Sequence, residues 1–250
     1  IVLDGIGVSG GNGSSITGLT IINYAGNGVI VTSNSTVKGC KIGTDGTNAL
    51  PNNTALSSNS GGLKITGDHN TIGGSGTGEG NIISGNNRSG IVFGGPAAFS
   101  NTIIGNIIGL AADGKTPLPN TEHGIRSKVG AYDNTIGGIG TGQGNAISGN
   151  TKYGIYIEGG GGGNQILYNK IGTTADGVDA AGNGNDGIAI LGPGKGEQAC
   201  GETGDGRMLE AADRLVYFKL ITGAFRVGVS RLQVTQALAE IDKRIRQLSA

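Results

Sequence analysis

The chain has little of what marks the special classes of protein. Charge is scarce and balanced, with 18 Lys and Arg against 18 Asp and Glu in 250 residues. That balance removes any global electrostatic case for a nucleic acid or an anionic membrane surface as partner. Cysteine is limited to Cys40 and Cys200, in dissimilar contexts and without ligand spacing, so neither a disulfide framework nor a zinc site is implied. With only five prolines and no glycine at every third position, collagen is excluded. No apolar run is long enough to span a membrane, so no membrane insertion is expected, and no basic start followed by an apolar stretch marks a signal peptide. The chain opens without Met inside what reads as a strand, IVLDG, and so reads as a piece of a longer protein. A missing leader therefore carries no weight.

What is abundant is glycine, 53 of the 250 residues. Ile and Val recur in alternating runs and the charged fraction is low, which argues against disorder and for β structure with many tight turns. The organising feature is a repeat. Asn70 to Asn86, NTIGGSGTGEGNIISGN, returns 64 positions later as NTIGGIGTGQGNAISGN from Asn134. Glycine followed by an apolar residue opens a short alternation at Gly28, Gly62, Gly90, Gly124, Gly154 and Gly187, at separations of 34, 28, 34, 30 and 33. Self-similarity at this period is the signature of a solenoid. Period-two alternation puts Val29 and Val31, Leu63 and Ile65, Ile91 and Phe93, Ile125 and Ser127, Ile155 and Ile157, and Ile188 and Ile190 on one core-facing side. A second strand aligns at Ser35, Asn70, Asn101, Asn134 and Asn164. Stacked repeats build parallel sheets around a continuous interior, and Asn at one place in successive coils can hydrogen-bond along the stack. Glycine at the corners is expected for its freedom at φ > 0.

These motifs, NTIGG…GTGEGNIISGN with GNGVIV and GIYIEG strands and IGTDGTNALPNN loops, resemble the right-handed parallel β-helix repeats of bacterial surface and secreted proteins. The match runs from about Ile1 to Leu191 and implies an all-β, right-handed, single-stranded parallel β-helix of the pectate-lyase-like superfold, with a bacterial extracellular or cell-surface location. It does not imply one activity, because the fold carries lyases, polygalacturonases, epimerases, phage tailspikes and structural stalks.

After Leu191 the pattern stops. Residues 192–206 read as a Gly-rich connector and residues 207–250 as a helical hairpin. Ser230 with Gln233 fits a capping box, and Val234, Leu238, Ile241, Ile245 and Leu248 make an amphipathic stripe. This small α-helical C-terminal segment is expected to cap the open end of the solenoid, with homo-oligomerisation through 230–248, or an origin foreign to the repeat, as alternatives.

Three long loops, Ile42 to Asn52, Ile108 to Asn120 and Ile171 to Asn183, come from alternate coils and should form a row about 10 Å apart. Each holds an Asp-Gly, at Asp45, Asp113 and Asp176. A turn explains these better than calcium, since each loop supplies one or two carboxylates rather than a cluster, so no metal site is assigned and Ca2+ stays an alternative. On the first-strand sheet the outward row is Ile30, Lys64, Val92, Arg126, Tyr156 and Ala189, beside Thr32, Thr66, Gly94, Lys128, Glu158 and Leu191. Lys64, Lys128, Tyr156 and Glu158 are the candidate substrate-binding residues. Such a face could hold an acidic sugar chain, cations meeting carboxylates and the ring stacking on a sugar face. The resemblance adds that lyases of this fold use an Arg or Lys as base, a role that falls to Arg126. The plainer reading is a solvated surface with one cross-coil ion pair, worth under about 1 kcal/mol. Glu158 alone cannot supply a calcium site, and no facing pair of carboxyl groups supports glycoside hydrolysis. The expected function is a non-catalytic stalk, adhesion or carbohydrate-binding surface. A uronate lyase-like enzyme and a phage or surface fibre are the alternatives.

Overall fold

In the computed structural model, residues 6–8, 13–55, 60–159 and 162–191 are described; the connector and helical hairpin expected over 192–250 lie outside them. Every described strand pairs in parallel with the equivalent strand of the next coil. A seven-stranded sheet runs Ile6–Val8, Val29–Val31, Gly61–Ile65, Ser89–Phe93, Ile125–Ser127, Ile155–Glu158 and Ile188–Leu191. A six-stranded second sheet takes Ser15–Thr17, Thr36–Lys38, Thr71–Gly73, Thr102–Ile104, Thr135–Gly137 and Gln165–Leu167. The third, also six-stranded, takes the two-residue strands Thr20–Ile21, Lys41–Ile42, Ile82–Ile83, Ile107–Ile108, Ala146–Ile147 and Lys170–Ile171. The chain visits the sheets in turn and returns to the first one coil on. This is an all-β parallel β-helix, and right-handed winding is the hand that nearly all parallel crossovers take.

The register follows the glycine-headed alignment: Val29 pairs with Leu63, Leu63 with Ile91, Ile91 with Ile125, Ile125 with Ile155 and Ile155 with Ile188. The interior is filled by rows of like residues. Ile16, Val37, Ile72, Ile103 and Ile136 project from the second sheet, and Ile21, Ile42, Ile83, Ile108 and Ile147 from the third, all buried. β-Branched side chains stacked on a pleated surface suit this, and full burial of each stabilises by about 1.5–3 kcal/mol. Ser127 takes a core position one coil above Phe93, so the smallest side chain of its row follows the largest.

The third sheet is what the two-strand repeat reading did not separate. A two-residue strand shows too little alternation to announce itself. What holds each corner is asparagine. Along the first corner the Asn70, Asn101 and Asn134 amides donate in turn to Oδ1 of Asn101, Asn134 and Asn164. A second ladder runs Asn81, Asn106, Asn145 and Asn169, and a third Asn52, Asn86, Asn120, Asn150 and Asn183. Each Nδ2 also donates to a main-chain carbonyl of the coil before, as Asn145 does to Ile103 at 2.8 Å. Buried polar groups at corners, where the sheet ladders cannot reach them, are thereby satisfied. Cys40 stands where the second ladder would begin. Its N–H donates to Asn81 Oδ1 at 2.9 Å, its thiol is buried, and that burial pushes the thiol pKa up.

Corner glycines such as Gly73, Gly85, Gly137 and Gly149 take positive φ as expected, but the strand-opening glycines have a different cause. Gly28, Gly62, Gly90, Gly124 and Gly154 do not have positive φ. They sit against the third ladder: a Cβ on Gly124 would lie 2.6 Å from Ile147 Cγ2, 2.7 Å from the Gly154 oxygen and 2.9 Å from Asn150 Nδ2. Close approach of an asparagine, not turn geometry, excludes a side chain there.

Candidate functional site

The outer face of the first sheet carries the sequence-derived candidates, in the expected register: Ile30, Lys64, Val92, Arg126, Tyr156 and Ala189 form one pairing row. Val92 on this row is only 1 % exposed, so the middle of the face is packed rather than open. Arg126 meets Tyr156 one coil on, as alignment suggests, but its guanidinium takes a diagonal partner. Its Nε donates to Glu158 Oε1 at 2.8 Å and its Nη2 closes on the same oxygen. Both side chains are about one-fifth exposed, so the pair is shielded more than a surface bridge. Glu158 thus grips Arg126 diagonally, and the register, with Ser127 paired to Ile157, also keeps it one coil on from Lys128 as the alignment suggests. Lys64, half-buried, belongs to the same row two coils before Arg126.

The leading edge of this sheet holds a group that sequence reasoning passed over. His123 is 6 % exposed and lies in a nest of near-parallel rings, 4.6 Å from Tyr156 and 5.4 Å from Tyr153 between centroids, with the two tyrosines 5.2 Å apart. Its Nδ1 is buried without a hydrogen-bond partner. Burial, with Arg126 and Lys152 adding to it, pulls the imidazole pKa down to about 4 against the opposite pull of Glu122 and Glu158, so His123 is neutral at pH 7. Beside it runs an alternating charge ladder, Arg88 to Glu122 at 2.9 Å and Lys152 to Glu122 at 3.4 Å, one coil apart each. Burial raises the Glu122 pKa, but Arg88 and Lys152 together outweigh that and hold it below the usual range. The signal was present as the aligned four-residue segments NRSG, TEHG and TKYG, whose second and third positions stack.

At the far edge of the same sheet, Phe99 stacks on Tyr132 at 4.9 Å and meets His69 edge-on at 5.9 Å. His69 Nδ1 lies 2.7 Å from Asp68, and Ser33 donates to the other oxygen of that carboxylate. Serine, aspartate and histidine here make no catalytic relay, because the aspartate bridges and the serine does not touch the imidazole. The Ser33 and His69 contacts lower the Asp68 pKa.

The three long loops are built as turns. Asp45 accepts from the Thr47 and Asn48 amides and from the Asn48 side chain, which together hold its pKa at about 2. Asp113 accepts from Lys115 and Thr116 in the same way. Asp176, bonded by the Thr174 hydroxyl and the Val178 amide, is also lowered to about 2. The loops do not stand apart as a spaced row. Ala112 N donates to Gly46 O and Ala175 N to Gly114 O, each at 2.8 Å. The intervening coils turn this corner with a bare Ser-Gly, and the long loops close over it. Among the described residues no three His, Cys, Asp or Glu side chains gather in a way that could hold a metal ion.

Opposite in phase, the coils between those with long loops carry Gly-rich loops between the second and third sheets. Glu79 Oε2 accepts from Gly76 N and Gln143 Oε1 from Gly140 N, so the two loops share one fold with a carboxylate in the first and an amide in the second. The architecture rests on this geometry alone, for no family model, curated protein or solved structure matches the chain.

Proposed function

We propose that the chain is a non-catalytic module of a bacterial surface or secreted protein that lays an acidic polysaccharide along the outer face of its first sheet. One observation carries the reading. In a chain whose charges balance, this face and its leading edge gather Lys64, Arg88, Arg126, Lys128 and Lys152 against Glu122, Glu158 and Asp186, next to the tyrosine pair Tyr153 and Tyr156. Cations suit uronate carboxylates, and flat rings suit sugar faces. Arg126, gripped by Glu158, serves as a fixed positive charge.

Titration with oligogalacturonate and with a neutral cello-oligosaccharide tests this. Binding of the acidic chain alone, weakened at least tenfold by Lys128→Gln and Tyr156→Ala, is the expected result. Equal or absent binding of both would refute it. Release of unsaturated ends, lost in Arg126→Ala, would establish the lyase-like alternative, and adding calcium in the same assay checks its dependence on that ion. A trimeric mass in solution would favour the fibre alternative.

A further inference from the structure

A cleft lies away from this face, on the edge between the second and third sheets. Gly138, Ile139, Gly140, Thr141, Gly142 and Gly144 bound a cleft of about 260 Å³ with Tyr168 and Lys170 on its other side. The residue before Cys40 and before each asparagine of the second ladder is Gly39, Gly80, Gly105 and Gly144 in four successive coils, of which Gly39 and Gly105 have positive φ, and then Tyr168. Tyr168 takes φ of 53°, in the left-handed region. The other non-glycine residues with positive φ among those described are Asn, Asp, Ser and His, and Asn and Asp are the side chains that tolerate it best. A bulky ring in this conformation costs about 1 kcal/mol or more and persists at functional positions. The strain is not repaid by burial, since Tyr168 is 62 % exposed.

The earlier Gly-rich loop offers an internal comparison. Over residues 74–80 the later loop lies directly, so that a Cβ on Gly142 would come within 2.7 Å of the Ser75 oxygen. On the later loop itself, Ile139 is 80 % exposed and the cleft stands open. The charge also differs. Glu79 and its partner Lys38 mark the covered loop, whereas the open one has neutral Gln143, and its lining includes Lys170 and no carboxylate.

We propose that this cleft binds one residue of an acidic glycan, a uronate ring stacked on Tyr168. The ring's hydroxyls meet the polar backbone of the glycine wall, and its carboxylate meets Lys170. Lys170 Nζ is oriented by a 2.6 Å bond to the Ala175 oxygen and has two further protons to donate. A flat ring with a polar rim suits a site of one aromatic face, one cation and bare main chain better than an apolar ligand does.

The site is tested on the full chain by amide NMR with trigalacturonate. Shifts at Gly138, Gly140, Gly142 and Gly144 are expected, with affinity there at least tenfold weaker in Tyr168→Gly and in Lys170→Gln. Tyr168→Gly should at the same time raise the thermal midpoint, because glycine relieves the corner. A purely structural tyrosine would lower the midpoint and leave binding alone. Shifts confined to Arg126, Lys128 and Tyr156 would overturn this site and leave the first-sheet reading standing. Shifts confined to the glycine loop would do the reverse, and no shift at either would remove both.

Discussion

Asn120 offers the sharpest test of what holds the solenoid together. Its side chain is fully buried and makes four hydrogen bonds. Nδ2 donates to Ile83 O and to Asn150 Oδ1, each at 2.9 Å, while Oδ1 accepts from Asn86 N at 3.1 Å and Asn86 Nδ2 at 2.9 Å. Asn120→Ala deletes all four. Two of the partners keep a bond, since Asn86 Nδ2 still reaches Ile42 O and Ile83 O still accepts from Gly109 N. The Asn86 amide N–H and Asn150 Oδ1 lose their donor or acceptor inside a dry corner, at about 1–3 kcal/mol each. The expected destabilisation is about 3–5 kcal/mol, read as a lowered urea midpoint by circular dichroism with the slope unchanged. Asn185→Ala, at an exposed position, serves as control and should stay within about 0.5 kcal/mol. Asn120→Asp sharpens the argument, because a carboxylate accepts from Asn86 but faces two oxygens where Nδ2 donated. Burial and those oxygens raise its folded pKa above the unfolded value of about 3.9, so the variant should regain stability as pH falls through the raised value. A cost under about 1 kcal/mol for Asn120→Ala, or an aspartate variant indifferent to pH, would show that the sheets alone carry the stack.

Other perturbations follow the same logic. His123 binds its proton at about 4 when folded and at 6.5 when free, so its contribution is complete above pH 6.5 and falls by about 3 kcal/mol as pH drops from 6.5 to 4. His123→Phe keeps the ring and should flatten that part of the pH–stability curve. Gly124→Ala should destabilise by about 1–3 kcal/mol through its contacts with Ile147 and the Gly154 oxygen, whereas Gly182→Ala, with open space around it, should be near neutral in thermal melts. Asp45 should titrate near pH 2 by carbon NMR, and Asn48→Ala should move it upward by removing the first of its donors.

The repeat, its register and the core rows were legible because they follow from the two-residue period and from glycine and asparagine spaced coil by coil; Asn70, Asn101 and Asn134 announce their ladder in the text. The third sheet was not legible, since strands such as Ile82–Ile83 are too short to carry a period. Nor was the reason for the glycines at Gly62 and Gly124, which is the approach of asparagines 24 to 26 residues further on. Alignment by coil also sets who can be neighbours on the outer face, Arg126 with Tyr156 and Arg88 with Glu122. It does not set which neighbour a long side chain takes: Arg126 reaches diagonally to Glu158, and His123 turns under two tyrosines. Those choices depend on rotamers, exposure and the charges around them, which exist only once the coils are stacked. The sequence by itself therefore determined the solenoid and its first two sheets, through local periodicity. Only the tertiary structure decided the ion pairs, the ring stacks and the cleft beside Tyr168, because each forms between coils that meet in space.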